Sequence, residues 1–183
     1  EAAKLAKRCA LVANLESKLR SHQFRTRAPE YSDPTALDDW SDAVSHGRRV
    51  AYQERARLSI GDSAPLRDPW GVVEDAGIRV FPLQLGNEHS IDGIFTRVSE
   101  GKACVGVNVD KWVFRQVFTV VHEYGHALME GDLAGEACAT SRAWNRSRSR
   151  YANREVRANQ FAAVYLVPRE AQLWFLESRG KLK

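Results

Sequence analysis

No apolar run in this chain approaches the roughly 20 residues needed to cross a bilayer, and its start lacks the basic-then-apolar pattern of a signal peptide. A membrane-spanning protein and a secretory precursor are therefore not expected, and the reading is a cytoplasmic protein without a membrane partner. Cysteine is scarce: Cys9, Cys104 and Cys138 are far apart, odd in number and form no CxxC pair. That pattern predicts neither a disulfide framework nor a cysteine-rich zinc site, and it suits a reducing compartment. Charge of one sign is not in large excess either, since 27 Lys and Arg face 23 Asp and Glu for a net +4. Such a balance permits nucleic acid as a partner without implying it. No internal repeat is present, and a start at Glu1 rather than Met leads to the expectation that something upstream was removed or left out.

What is present is enough for one globular domain with a core: 183 residues, 44% of them hydrophobic. Residues 1–62 read as an N-terminal helical region and residues 63–183 as the domain proper. Leu5, Cys9, Val12, Leu15 and Leu19 fall at helical spacing among charged residues, which predicts an amphipathic helix over residues 1–22. The proline-containing stretch Gln23–Pro34 breaks it, and Thr35 is placed to cap a second helix running to Leu58. A short helix within Pro65–Ala76 should stop at Gly77. The pattern then changes to short β-branched runs, Ile78–Phe81, Ile91–Val98 and Ala103–Val109, read as three strands of one small sheet. Helices follow over Lys111–Glu130, Asn153–Leu166 and Pro168–Ser178, with Pro168 suited to a first turn and Gly131–Tyr151 loop-like between them. Strand-rich and helix-rich segments are segregated, so the fold class is α+β.

The chemistry concentrates in His122-Glu123-Tyr124-Gly125-His126. On a helix, positions i and i+4 share a face, so two imidazoles can hold one metal ion while Glu123 stands beside them. Val113, Val117, Val120 and Val121 make that helix apolar, and two histidines buried in it need a partner. A metal supplies one.

A catalytic zinc takes three protein ligands and keeps a position open for water. Glu155, near the start of the following helix, is the leading candidate for the third ligand, and Glu136 is the competitor. The alternative for Glu155 is an ordinary first-turn carboxylate placed by the helix dipole. Asn159, one turn on, could orient a ligand or simply pack. Tyr124 and Tyr151 are candidate oxyanion donors, and His89 could line the cleft or sit in a solvated turn. Ile91–Arg97 could act as a sheet edge that pairs with an extended peptide. Six arginines between Arg142 and Arg157, interleaved with serines and Trp144, offer a site for an acidic partner or nucleic acid, or else form a solvated loop.

Taken together, FTVVHEYGHALMEGD (residues 118–132) and EVRANQFAAVYLVP (residues 155–168) resemble the ImmA/IrrE metallopeptidase family. Gly77-Ile78-Arg79-Val80, Asp92-Gly93 and Val107-Asn108 extend the likeness upstream, so that about residues 50–170 are covered. The Ser/Arg-rich insertion before Glu155 departs from the family's pattern. The resemblance implies a zincin-like fold, Zn2+ as cofactor, His122, His126 and Glu155 as its ligands and Glu123 as general base.

The resemblance also sets the functional expectations. The first is a zinc endopeptidase of narrow specificity that cleaves a regulatory protein, a helix-turn-helix repressor, and so derepresses stress-response or mobile-element genes. The second is a ligand-sensing module without proteolysis, joined to an upstream DNA-binding domain of the XRE type. Arg55–Leu58 through Pro65-Leu66 resembles the helical joint of such fusions. A structural zinc domain is the third, disfavoured because structural sites close with four protein ligands. An intact HExxH with Glu155 favours the enzyme, since a sensor needs no base at Glu123. Substrate, trigger and oligomeric state are not legible, and restraint by metal supply, a partner or the first two helices is expected.

Overall fold

Short β-branched runs bounded by glycine and asparagine do form strands, and they pair within one four-stranded sheet. β1 is Arg79–Leu83, β2 is Ile91–Arg97, β3 is Ala103–Asn108 and β4 is Ala137–Ser141. The computed structural model describes residues 2–19, 28–87, 91–97, 103–131, 137–141 and 150–180. The helices among them are α1 (Ala2–Leu19), α2 (Trp40–Arg57), α3 (Pro69–Asp75), α4 (Val113–Met129), α5 (Arg150–Leu166) and α6 (Arg169–Ser178). The class is α+β. Two compact bodies result, each built from two stretches of chain: residues 1–32 with 69–145, and residues 33–68 with 146–183.

In the first body β1 runs parallel to β3, while β2 runs antiparallel to both β3 and β4. All of β3, and β2 from Asp92 onward, is buried, which requires cover on both faces. Ile94 and Gly106 are register partners, and their face receives α1: Leu5, Leu83 and Ile94 form one apolar cluster. A Cβ on Gly106 would press against Leu83 and Leu5. The opposite face, carrying Gly93, meets α4. Alternation along a strand thus divides the sheet between two helices.

Two expectations are corrected here. β2 is not a sheet edge, because β4 pairs along it from Ile91↔Ser141 to Thr96↔Ala137; β1 and β4 are the outer strands. Residues 137–141 lie in the stretch read as loop, where a five-residue run of small residues carries little strand propensity and pairing decides the outcome. The cysteines are also not all single. Cys9 of α1 and Cys104 of β3 are joined by a disulfide, with their Cα atoms 6.1 Å apart. No sequence spacing announces a pair separated by 95 residues; the packing of α1 on the Gly106 face brings them together.

In the second body α2 packs along α5. Gly47 makes the close approach possible, since a Cβ there would strike the carbonyl oxygen of Arg157. α5 buries Asn153, Arg157, Ala158, Phe161, Ala162 and Tyr165, a helical stripe at the expected period. Thr35 does not cap α2. It sits in a 3-10 turn, Pro34–Leu37, and its hydroxyl donates to Asp33 Oδ1 at 2.7 Å, a bond that leads in holding the Asp33 carboxyl below its usual range. Asp39 caps instead, accepting from the Ser41 N–H at 3.2 Å. Buried Arg55 closes the lower end: it donates to the carbonyls of Tyr165 and Ala64, each at 2.6 Å, and to that of Gly61.

Candidate metal centre

α4 starts where Asn108 ends β3. The buried Asn108 side chain donates to the carbonyls of Gly86 and Ile91 at 3.0 and 3.1 Å and accepts from the Asp110 N–H at 3.2 Å. Gln116 then donates to the carbonyls of Val109 and Lys111 at 3.0 and 2.7 Å, closing the helix entry. Every residue from Thr119 to Met129 is buried. The polar residues in that stretch therefore lie in the protein interior, where each needs a defined partner.

β2 anchors this helix near both ends. At one end the buried Asp92 carboxylate accepts from Arg115 through Nη2 at 2.7 Å and Nε at 3.0 Å, with Lys111 Nζ 3.8 Å away. At the other, Arg97 Nη2 donates to the Ala127 carbonyl at 2.8 Å. Between the anchors lies Gly93. A Cβ on it would stand 2.7 Å from Glu123 Oε1 and would collide with the Thr119 methyl group. The absent side chain of Gly93 is the space in which the Glu123 carboxylate is seated.

One turn apart, His122 and His126 present their rings edge to face, with centroids 4.7 Å apart and planes at 75°. Their Nε2 atoms approach to 3.0 Å. Two nitrogens bound to one tetrahedral zinc at 2.0–2.1 Å would stand about 3.3 Å apart, so the pair converges at close to the separation a shared ion requires. On its far side, His126 Nδ1 lies 2.9 Å from Glu130 Oε1. Both side chains are fully enclosed.

The third predicted ligand, Glu155, is on α5 in the second body and is half-buried. It is in line with Ala158 and Ala162 at the border of the buried stripe. His122 and His126 of the first body and Glu155 of the second are the donor types expected from the sequence, two imidazoles and a carboxylate, a set suited to zinc with a position left open. Asn159 is half-buried one turn beyond Glu155.

The remaining candidates separate. Tyr124 is fully buried on α4, whereas Tyr151 is exposed at the start of α5. Arg157 is no part of a basic surface: it is buried, with Nη1 3.5 Å from His46 Nδ1 and 3.5 Å from the Asp33 carbonyl. Arg150 is exposed, 3.7 Å from Asp38. Glu136, His89, Trp144 and Arg142 to Arg148 lie outside the described residues. Two site residues were missed in the sequence. Glu130 carried a readable signal, the i+4 spacing from His126; Gly93 was marked only as part of the Asp92-Gly93 likeness, because its close approach to Glu123 is visible only in the structure.

An α+β domain with HExxH on a buried helix seated against a sheet defines the class of zincin-like metallopeptidases. Residues 73–181 match the model of the Peptidase_M78 family, described as the IrrE N-terminal-like domain. That match covers more than half of the chain, which belongs to this family, the ImmA/IrrE metallopeptidases. No curated protein and no solved structure matches the chain significantly. Among the described residues, no helix is long and apolar enough to cross a membrane.

Proposed function

We propose that this chain is a zinc-dependent, site-specific endopeptidase of the cytoplasm. Its substrate is a regulatory protein, a helix-turn-helix transcriptional repressor, whose cleavage derepresses stress-response or mobile-element genes. The observation that carries the reading is the convergence of His122 Nε2 and His126 Nε2 at 3.0 Å with Glu123 seated over Gly93 beside them. His122, His126 and Glu155 would hold Zn2+, which supplies Lewis-acid polarisation of a peptide carbonyl and of water when bound. Glu123 is the catalytic residue: its carboxylate accepts a proton from the attacking water and returns it to the departing amine. Its seat on the Gly93 backbone fixes where that proton is received.

The family match at residues 73–181 falls within residues 63–183, the segment read as the metallopeptidase domain, while residues 1–62, read as its N-terminal helical region, contribute chain to both compact bodies. A disulfide is uncommon in a cytoplasmic protein, so the thiol state of Cys9 and Cys104 in cell extract tests the placement. The substrate is tested by incubating the zinc-loaded chain with the repressor encoded beside it. One discrete cut that disappears with a chelator and in Glu123→Gln supports the proposal. An intact repressor, with the operator affinity of a fused DNA-binding segment changing on ligand addition, would favour the sensing module instead.

A further inference from the structure

Glu130 occupies a costly position. It follows the last turn of α4, its N–H donating to the His126 carbonyl at 3.0 Å, and its side chain is only 1% exposed. A carboxylate there is disfavoured twice, by loss of water and by the negative end of the helix dipole. It is held in place nonetheless. Tyr31 donates its N–H to the Leu128 carbonyl at 2.7 Å, the Ser32 hydroxyl donates to the Met129 carbonyl at 3.4 Å, and the Gly131 N–H donates back to Ser32 Oγ at 3.2 Å. These bonds clamp the turn that carries Glu130, and they aim its Oε1 at His126 Nδ1, 2.9 Å away.

We infer that Glu130 is the positioning residue for His126, and the inference rests on the metallopeptidase reading above. With the carboxylate on one side, the imidazole carries its proton on Nδ1 and donates it to Oε1. Its Nε2 is then left as an acceptor turned toward His122 Nε2. A neutral imidazole can rotate or exchange tautomers; one tied to a buried carboxylate is set in both ring angle and tautomer, and is a stronger electron donor at Nε2. Burial of both partners keeps water from competing for the bond. Glu130 touches no reacting atom. It acts through His126.

The test uses the full chain and reads metal rather than turnover. Zinc affinity is measured by competition with a chromophoric chelator, and the absorption spectrum of the cobalt-loaded protein is recorded for wild type, Glu130→Gln and Glu130→Ala. Glu130→Gln keeps an acceptor oxygen of the same reach without the charge, so it preserves the fold if the alanine variant does not. Loss of a partner of this kind lowers metal affinity by about 10- to 100-fold, and a shifted cobalt spectrum is expected with it. Wild-type affinity and an unchanged spectrum in Glu130→Gln would overturn the inference while leaving the peptidase reading intact. A wild-type chain that retains no zinc against the chelator would remove the reading itself.

Discussion

Gly93 on β2 stands so close to Glu123 on α4 that a single added carbon would lie 2.7 Å from the carboxylate oxygen. The proposed general base is therefore seated by a residue on another element that contributes no side chain. Gly93→Ala should push Glu123 and Thr119 away from the strand. Overpacking of this kind costs about 1–3 kcal/mol, and a base displaced by an ångström can lose on the order of 100-fold in rate. Steady-state hydrolysis with parallel zinc analysis checks it. Zinc retained with kcat reduced is the expected combination, since the atoms nearest the added carbon belong to Thr119 and Glu123.

The Cys9–Cys104 disulfide ties α1 to β3 across a separation of 95 residues. A cross-link closing a loop of that length stabilises by up to about 4.7 kcal/mol through the entropy it removes from the unfolded chain. Reduction, or Cys9→Ser, should lower the denaturant midpoint of the first body and expose the face of the sheet occupied by Ile94 and Gly106. Chemical denaturation with and without a thiol reductant measures this, and an unchanged midpoint would mean that α1 is held by packing alone.

How much of this was readable in the sequence depended on the range of the interaction. His122 and His126 are one helical turn apart with Glu123 beside them, so local spacing alone brings them together, and the runs of β1, β2 and β3 were marked by β-branched residues and flanking breakers. The misread features were those decided at a distance. β4 is strand because β2 offers a pairing partner, and Cys9 meets Cys104 because α1 lies on one face of the sheet. The Thr35 cap failed for a local reason: Asp33 captured its hydroxyl and Asp39 took over the helix start. Arg157 looked like part of a charged run but is a core residue facing His46.

Tyr52 of α2 donates to Glu170 Oε2 of α6 at 2.8 Å. Burial first, and then this bond, raises the Tyr52 hydroxyl above its ordinary value of 10.0. A backbone hydrogen bond first, and then Tyr52, lowers the Glu170 carboxyl below its ordinary 4.5. A raised folded value gives stability that is present below pH 10.0 and lost as pH rises through it. A lowered one gives stability present above pH 4.5 and lost as pH falls. The destabilisation by Tyr52→Phe should therefore be largest between those limits and shrink outside them. Unfolding of both proteins from acid to alkaline pH tests the window; a pH-independent difference would assign the effect to packing.

Arg55 is fully buried and donates to the backbone carbonyls of Tyr165, Gly61 and Ala64. Burial is the leading cause of its lowered proton affinity. Arg55→Met fills much of the volume but leaves buried acceptors without their donor, at about 1–3 kcal/mol for each such group. A loss of roughly 3 kcal/mol or more in equilibrium unfolding is expected, and a neutral effect would mean that water replaces the guanidinium.

The most direct test of the central claim is a paired measurement on wild type and Glu123→Gln: zinc content after dialysis, and hydrolysis of a peptide substrate by each. Stoichiometric zinc in both proteins and hydrolysis in the wild type alone are expected. Glu123→Gln that still cuts at the wild-type rate, or a wild-type chain that holds no zinc, would contradict the claim.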